Sequence, residues 1–588
     1  MGICAAYPTF LVLGSWLLIA LILGGLGALV FRVGRTSVAT VDKVFLCFWS
    51  GWSLLIVILE IWHLAWPIGT WTFIVVAGIG IAGLASIRKT DLKCTRDACF
   101  KHLPASLLFA ALALLLANLA LHSARHGDTG AYFLPTIAWL RSFPIVPGLG
   151  NLSVTYGFNH AYFLYAAYLD AGPLLGRAHH LANGLLILAV AARSLLGASH
   201  VLRWREACRP VDVYYAILLF PLSRLGMGIF LTSPSPDLAV FMLGLVLTGE
   251  LLRFLSEERG TNKVFHLFAL TLLGVAGVSV KQSLAGLASI TLSLAWVVWL
   301  WRVRQQWRRS AQVVVWAILF AVVLFVPWMI RSIVLTGFPF YPSSLAGFPV
   351  KWRVNVDWQS WTQGAMTLDL RMAFSSPHAF STQLDSLGWY DIDVGLPLAI
   401  ALVAVLVGLA AFVIRRLRRI SRPQNSAHFL ILIPTVGSFL FCLVLAPMAR
   451  YFGSVFWLLA AESGLLALGG CICESGRRRR IAVGLACVVA ACFPVYQARF
   501  ELRCLSSFES LPHVTTKEVR LQSGLSVQIP ESGCSCWNAP QPCTPTPNVA
   551  LRLRRDGDVA SGFMLDPNVR SRRHPDADPR CQMGIPPQ

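Results

Sequence analysis

The sequence predicts an all-α polytopic membrane protein with about 14 transmembrane helices, extracytoplasmic loops carrying amphipathic helices, and a small C-terminal tail outside the bilayer. Of its 588 residues, 56% are hydrophobic and only 13% are charged, against roughly 25% charge in a soluble domain. Mean hydropathy is +0.64. Apolar runs long enough to cross a ~30 Å hydrocarbon layer recur along the chain, and the short alternating segments of a membrane β-barrel do not.

In chain order the predicted spans are 9–31, 44–63, 66–87, 103–121, 180–199, 211–232, 238–254, 263–281, 284–301, 311–334, 396–414, 427–446, 452–472 and 481–497. The first, Phe10 to Phe31, has neither a basic leader nor a small-residue cleavage site, so it reads as a span rather than a signal peptide. The apolar stretch 156–175 reads as an interfacial or re-entrant helix, with Tyr156, Tyr162, Tyr165 and Tyr168 suited to the headgroup level. Counting it as a span would invert every later segment.

Charge sets the orientation. The net charge of +21 is concentrated in short clusters between spans, a positive-inside pattern rather than a nucleic-acid footprint. With the N-terminus outside, the cytoplasmic linkers are Arg32/Arg35, Arg88–Lys101, Arg203–Arg209, Arg253–Lys263, Arg302–Arg309, Arg415–Arg422 and Arg477–Arg480. They hold roughly 26 basic residues, and the alternate loops hold few. Both termini then face the periplasm of a bacterial inner membrane.

This orientation leaves His122–His179, the turn SPSPD ending at Asp237, residues 335–395, the turn APMARY and the tail on the outer side. Four divisions follow: 1–102 as N-terminal extra spans, 103–497 as the core, 498–566 as a cysteine-containing tail, and 567–588 as a disordered end. The tail holds five cysteines. Cys534, Cys536 and Cys543 are close disulfide candidates, with one bridge expected to Cys543.

Ionisable groups at membrane depth are costly, and each is a candidate for function. They are Glu60, Arg224, Lys281, Arg331 and Glu462, with Arg193 and Glu250 nearer the cytoplasmic interface. Snorkelling or a helix-end position accounts for Glu60 and Arg193, whereas Glu462 suits a structural ion pair or a site equally. Arg224, Lys281 and Arg331 lie on spans that emerge at the outer face, where cations in a partly dry groove would hold a phosphate. Asp128 and Asp237 occupy the same face. Asp128 opens the amphipathic segment DTGAYFLPTIAWLRS, where it is also a good N-cap, and Asp237 could equally cap its own helix. A carboxylate beside phosphate-binding cations could accept a proton from an acceptor hydroxyl, or could hold a divalent cation such as Mg or Mn. His-rich, P-loop and dinucleotide-binding patterns are absent.

These features resemble the GT-C superfamily of membrane glycosyltransferases, which includes protein mannosyltransferases and other polyprenyl- or dolichyl-phosphate-sugar-dependent enzymes. Their first outer loop carries an acidic residue just after a span, a pattern that falls on Asp128 in HGDTGAYFLPTIAWL. SPSPDLAVFMLGL around Asp237 and VSVKQSLAGLAS around Lys281 look similar to later features. PWMIRSIVLTGFPFYPSS, residues 327–344 with Arg331 and Tyr341, is similar to the bacterial "PWxxRNxxxTGNPxYP" text. APMARYFG, with Arg450 and Tyr451, looks like a late "RY" element, and VPGLGNLSVTYGFN at 146–159 resembles a bacterial branch of large membrane proteins with a cysteine-containing tail.

The resemblance covers roughly 103–472 and implies an inverting transferase. It would take a sugar from a polyprenyl-phosphate donor and pass it to an envelope glycan, lipid or protein, among membrane lipids and without nucleic acid. Asp128 would be the base, and Lys281, Arg331 and Arg450 the partners of the donor phosphate. Asp237 would be a metal or sugar ligand, and Tyr341 would line a groove. An O-antigen ligase or polymerase using Arg353, Arg371 and His378 is the enzymatic alternative. A lipid-glycan flippase or transporter is the non-enzymatic one, although the two halves show no internal repeat.

Overall fold

The computed structural model describes residues 7–34, 40–203, 209–225, 228–256, 263–304, 307–355, 381, 384–385, 388–417, 426–471, 505–578 and 581. Among them, eight helices are long and apolar enough to cross a membrane, or nine if one bent pair counts as a single span. The chain is a multi-pass helical protein.

Three helices, α1 (Tyr7–Gly34), α2 (Thr40–His63) and α3 (Thr70–Leu84), pack together. Their backbones approach closely because small residues line the seam: a Cβ on Gly27 would collide with the Cys47 carbonyl, and one on Gly51 with that of Leu23. Helix α4 (Lys89–Lys101) turns 88° away from α3, since KTDLKCTRDACFK is too polar to continue a span, and none of its residues is buried. Next come α5 (Leu103–Leu119) and a long loop holding α6 (Leu134–Ser142), α7 (Tyr162–Asp170) and α8 (Ala178–Leu181).

The chain continues through α9 (Gly184–Arg203), α10 (Pro210–Ile217), α11 (Leu219–Leu225), α12 (Pro236–Ser256), α13 (Lys263–Val280), α14 (Ala285–Val303) and α15 (Trp307–Thr336). The bundle ends with α16 (Ile392–Leu417), α17 (Leu432–Leu445) and α18 (Val455–Cys471). Helix α12 is enclosed on all sides. At the periphery, α15 and α16 expose Val322, Val323, Leu402, Val403 and Leu406, as a bundle bathed in lipid requires.

The long helices coincide with predicted spans, and span 66–87 is the apolar limb of the bent pair. Spans 103–121, 211–232, 427–446 and 452–472 fall on shorter apolar helices, Leu103–Leu119, Pro210–Ser223, Phe429–Leu445 and Val455–Ala467. Span 481–497 lies outside the described residues.

Two expectations about the bundle are corrected. The tyrosines of 156–168 do not present their rings to lipid headgroups. They are buried, because α7 packs inward against α2, with Tyr165 meeting the Trp52 ring at 5.7 Å and Tyr168 meeting Phe73 at 5.0 Å. At nine residues, α7 is too short to cross a bilayer. Nor do Glu60 and Arg193 snorkel. Glu60 is fully enclosed, and Arg193 reaches Asp212 at 2.7 Å and Asp42 at 3.3 Å. Glu462 accepts a hydrogen bond from the Thr435 hydroxyl at 2.7 Å.

The tail is a folded cap. Strand β1 (Thr516–Arg520) pairs antiparallel with β2 (Ser526–Pro530), and β3 (Leu551–Leu553) pairs antiparallel with β4 (Phe563–Leu565). Cys536 is bonded to Cys543, and a second bridge joins Cys534 to Cys581. The described part of the stretch expected to be disordered, 567–578 and Cys581, is held by that second bridge. The His574 N–H also donates to the Pro547 carbonyl at 2.9 Å, and Asn548 pairs with Arg573.

Candidate functional site

Four charged side chains from four separate segments meet at the tail-bearing end of the bundle. Asp128 follows α5 and precedes a π-helical turn, Thr129–Phe133, that leads into α6. Asp237 opens α12, Lys281 joins α13 to the next turn, and Arg450 lies between α17 and α18. Arg450 Nη2 is 3.1 Å from Asp128 Oδ2 and 3.9 Å from Asp237 Oδ2. The Lys281 ammonium donates to the other oxygen of Asp237. Tyr451 lies under both cations, with its ring centre 5.2 Å from Lys281 Nζ and 5.6 Å from Arg450 Cζ.

Neither carboxylate acts mainly as a cap. The Asp128 side chain makes no capping hydrogen bond and turns to Arg450 instead. At Asp237 the preceding Ser235 hydroxyl accepts the backbone N–H at 3.3 Å, which leaves the carboxylate for Lys281. The two loops are joined by Thr129 and Ser233, whose hydroxyls are 2.7 Å apart. Asn183 then fixes the SPSPD turn, donating to the carbonyls of Ser233 at 2.6 Å and Phe230 at 2.8 Å.

The cluster is graded in exposure. Lys281 is 5% exposed and Asp237 13%, whereas Asp128 is 26% and Arg450 41%. The inner pair is sealed, and the outer pair keeps faces open to solvent. Burial opposes the Arg450 charge, but Asp237, Tyr132 and Asp128 outweigh it and hold the guanidinium above its ordinary range. Burial pushes the Tyr451 phenol up and the His126 imidazole down, the latter against the pull of Asp128.

The other predicted residues are placed elsewhere. Arg331 is buried and committed to different partners, with its Nη1 2.6 Å from His63 Nδ1 and its Nε donating to Asn159 Oδ1 at 3.3 Å. Tyr341 lines no groove. It is 1% exposed, its hydroxyl donates to the Val154 carbonyl at 3.3 Å, and its own carbonyl accepts from Gln282 Nε2 at 2.8 Å. It thereby buttresses the residue after Lys281. Arg224 belongs to α11, with its side chain outside the described residues, as are Arg371 and His378. Arg353 packs over Phe338 at 6.0 Å. Among the described residues, no three His, Cys, Asp or Glu side chains converge as metal ligands.

Two neighbours escaped the sequence reading. His126 Nδ1 accepts the Asp128 N–H at 3.2 Å while its ring stacks on Phe133 at 5.5 Å. The His-Gly-Asp spacing was the available cue. His160 borders Lys281, and burial together with that positive charge pushes its imidazole down to about 3. Residues 10–457 match a family described as a domain of unknown function, DUF8201. The chain belongs to that family. The DUF8201 match holds all four members of the cluster and ends before the tail. No curated protein and no solved structure matches the chain.

Proposed function

We propose that this DUF8201 protein is an inverting GT-C-like glycosyltransferase of a bacterial inner membrane, with about 14 spans and a periplasmic tail. It would move a sugar from a polyprenyl-phosphate donor to an envelope glycan, lipid or protein acceptor. The observation that carries the reading is the convergence of Asp128, Asp237, Lys281 and Arg450 at one mouth of an apolar bundle. A donor with a greasy tail and a charged head needs both surroundings.

The chemistry runs through the outer pair. Two carboxylates and two cations balance, so an arriving donor phosphate competes for the cations. Arg450, half-exposed, turns from Asp128 to the phosphate beside Lys281, and the Asp128 carboxylate is freed. Asp128 takes the proton of the acceptor hydroxyl as its oxygen attacks the anomeric carbon. The bond from that carbon to the phosphate oxygen breaks, and the electron pair leaves on a phosphate held by Lys281 and Arg450. Asp237 keeps Lys281 aligned.

Mass spectrometry of envelope glycans tests this in a deletion strain complemented with wild type or Asp128→Asn. The expected result is a missing sugar in the deletion, restored by wild type and not by the variant. Identical glycans in deletion and wild type would overturn the transferase reading, and full restoration by Asp128→Asn would overturn the base assignment.

A further inference from the structure

The tail is fastened along the loop that carries Asp128. The Glu509 N–H donates to the Leu121 carbonyl at 2.9 Å, and the Glu509 carboxylate accepts the Ser123 N–H at 2.8 Å. Further on, the Phe563 N–H donates to the Pro147 carbonyl at 2.9 Å and the Tyr156 hydroxyl to the Cys543 carbonyl at 3.0 Å. At the centre of this contact is Trp537. Its backbone N–H donates to the Gly130 carbonyl at 2.9 Å, and its indole lies so close that a Cβ on Gly130 would overlap the ring.

Trp537 holds a left-handed backbone, φ +46°, which side chains other than glycine rarely adopt without support. That support is at hand: the Cys536–Cys543 bridge closes a short ring containing Trp537, and Gln541 Nε2 donates from the same ring to the Pro135 carbonyl at 3.3 Å. Gly130 is two residues beyond Asp128. It sits in the turn in which the Leu134 N–H reaches the Thr129 carbonyl, a π-helical geometry that is weak alone and persists where neighbours brace it.

We propose that Trp537, set by the Cys536–Cys543 bridge, is a positioning residue that clamps the Thr129–Phe133 turn and thereby aims Asp128 at Arg450. The inference deepens the transferase reading and rests on it for the role of Asp128. It makes the geometry of the site depend on a disulfide in a part of the chain beyond the family match.

Hydrogen–deuterium exchange on the full chain in lipid nanodiscs tests it, comparing wild type, Trp537→Ala, Trp537→Phe and the Cys536→Ser/Cys543→Ser pair. The peptide covering Thr129–Leu134 should exchange at least tenfold faster in Trp537→Ala and in the cysteine pair, and near the wild-type rate in Trp537→Phe. Peptides of α2 near Asp42 should not change. Unaltered exchange of Thr129–Leu134 in Trp537→Ala overturns the proposal. If the cysteine pair loosens α2 as well, the contrast between Trp537→Ala and Trp537→Phe decides, and equal exchange in those two overturns it. In transfer assays with undecaprenyl-phosphate sugar, Trp537→Ala should lower kcat tenfold or more with donor KM within twofold. A normal exchange contrast with no transfer by wild type would leave the clamp standing and remove the transferase reading.

Discussion

The two ends of the bundle carry charge clusters built from the same residue types and put to different use. At the end bearing the basic linkers, Asp42 is shared by Arg193, Arg209 and Arg253, at 3.3, 2.9 and 3.0 Å. Asp212 also holds Arg193 and Arg209, and Glu250 pairs with Arg253 at 2.9 Å and with His266. Except for Arg209, and for His200 at 3.4 Å from Asp212, its members are nearly sealed from solvent. This network ties α2, α9, α10, α12 and α13 together, and a charge in such a place has nowhere else to go. At the opposite end, Asp128 and Arg450 keep open faces. A sealed cluster fastens helices, whereas one with open faces can trade an ion pair for a ligand.

The largest effect that could break this contrast is on transfer itself. Asp128→Asn should lower the rate about 10²–10⁴-fold, the usual worth of a general base, while apparent thermal stability stays near wild type. A variant that transfers normally, or one that unfolds, would place Asp128 with the fastening residues. At the sealed end, Arg193→Leu should cost about 3–5 kcal/mol, since it leaves buried carboxylates uncompensated. Folded protein recovered in detergent should fall sharply, and unchanged recovery would show that the network is not a fastener. Lys281→Ala, at the sealed side of the open cluster, should weaken binding of polyprenyl phosphate by about tenfold or more, roughly 1.4 kcal/mol or above. Acceptor KM should move little, and Lys281→Arg should restore part of the loss. Equal effects on donor and acceptor would argue against a phosphate contact.

The legibility of these features follows from the range of the physics. Spans are local, so apolar runs placed helices such as α12 and α16, and the basic linkers forecast which loops share an end. Thr129 against Ser233, Arg450 against Asp128 and the tail against Gly130 bring together segments that the basic linkers had grouped on one side. The cluster was legible because each member stands in a loop or at a helix end with a carboxylate or cation to explain. Arg331, a cation more than a turn inside α15, was expected at the same site but resolved differently, because His63 and Asn159 are within its reach. That competition is a matter of packing between α2 and α15, which no local pattern records. The tyrosines of α7 misled for a related reason: an aromatic run suits a headgroup belt and a core equally, and only the neighbouring Trp52 and Phe73 decide. Cys581 was too distant in sequence to be paired with Cys534 by spacing.

The smallest expected effect concerns pH and sharpens the contrast from the open side. His160 stacks on Phe158 at 5.6 Å, within the field of Lys281. Burial first, then the Lys281 charge, lowers its imidazole to about 3, against an ordinary 6.5 in the unfolded chain. The folded state therefore binds fewer protons between these values. Its contribution is complete above pH 6.5 and is lost progressively as pH falls toward 3, at up to about 1.4 kcal/mol per pH unit. Between pH 7 and pH 5 this comes to at most about 2 kcal/mol. A His160→Gln variant has no imidazole to protonate, so its apparent Tm should fall less than that of wild type over the same interval. Equal falls would mean that neither burial nor the Lys281 charge holds the His160 imidazole down in the folded chain.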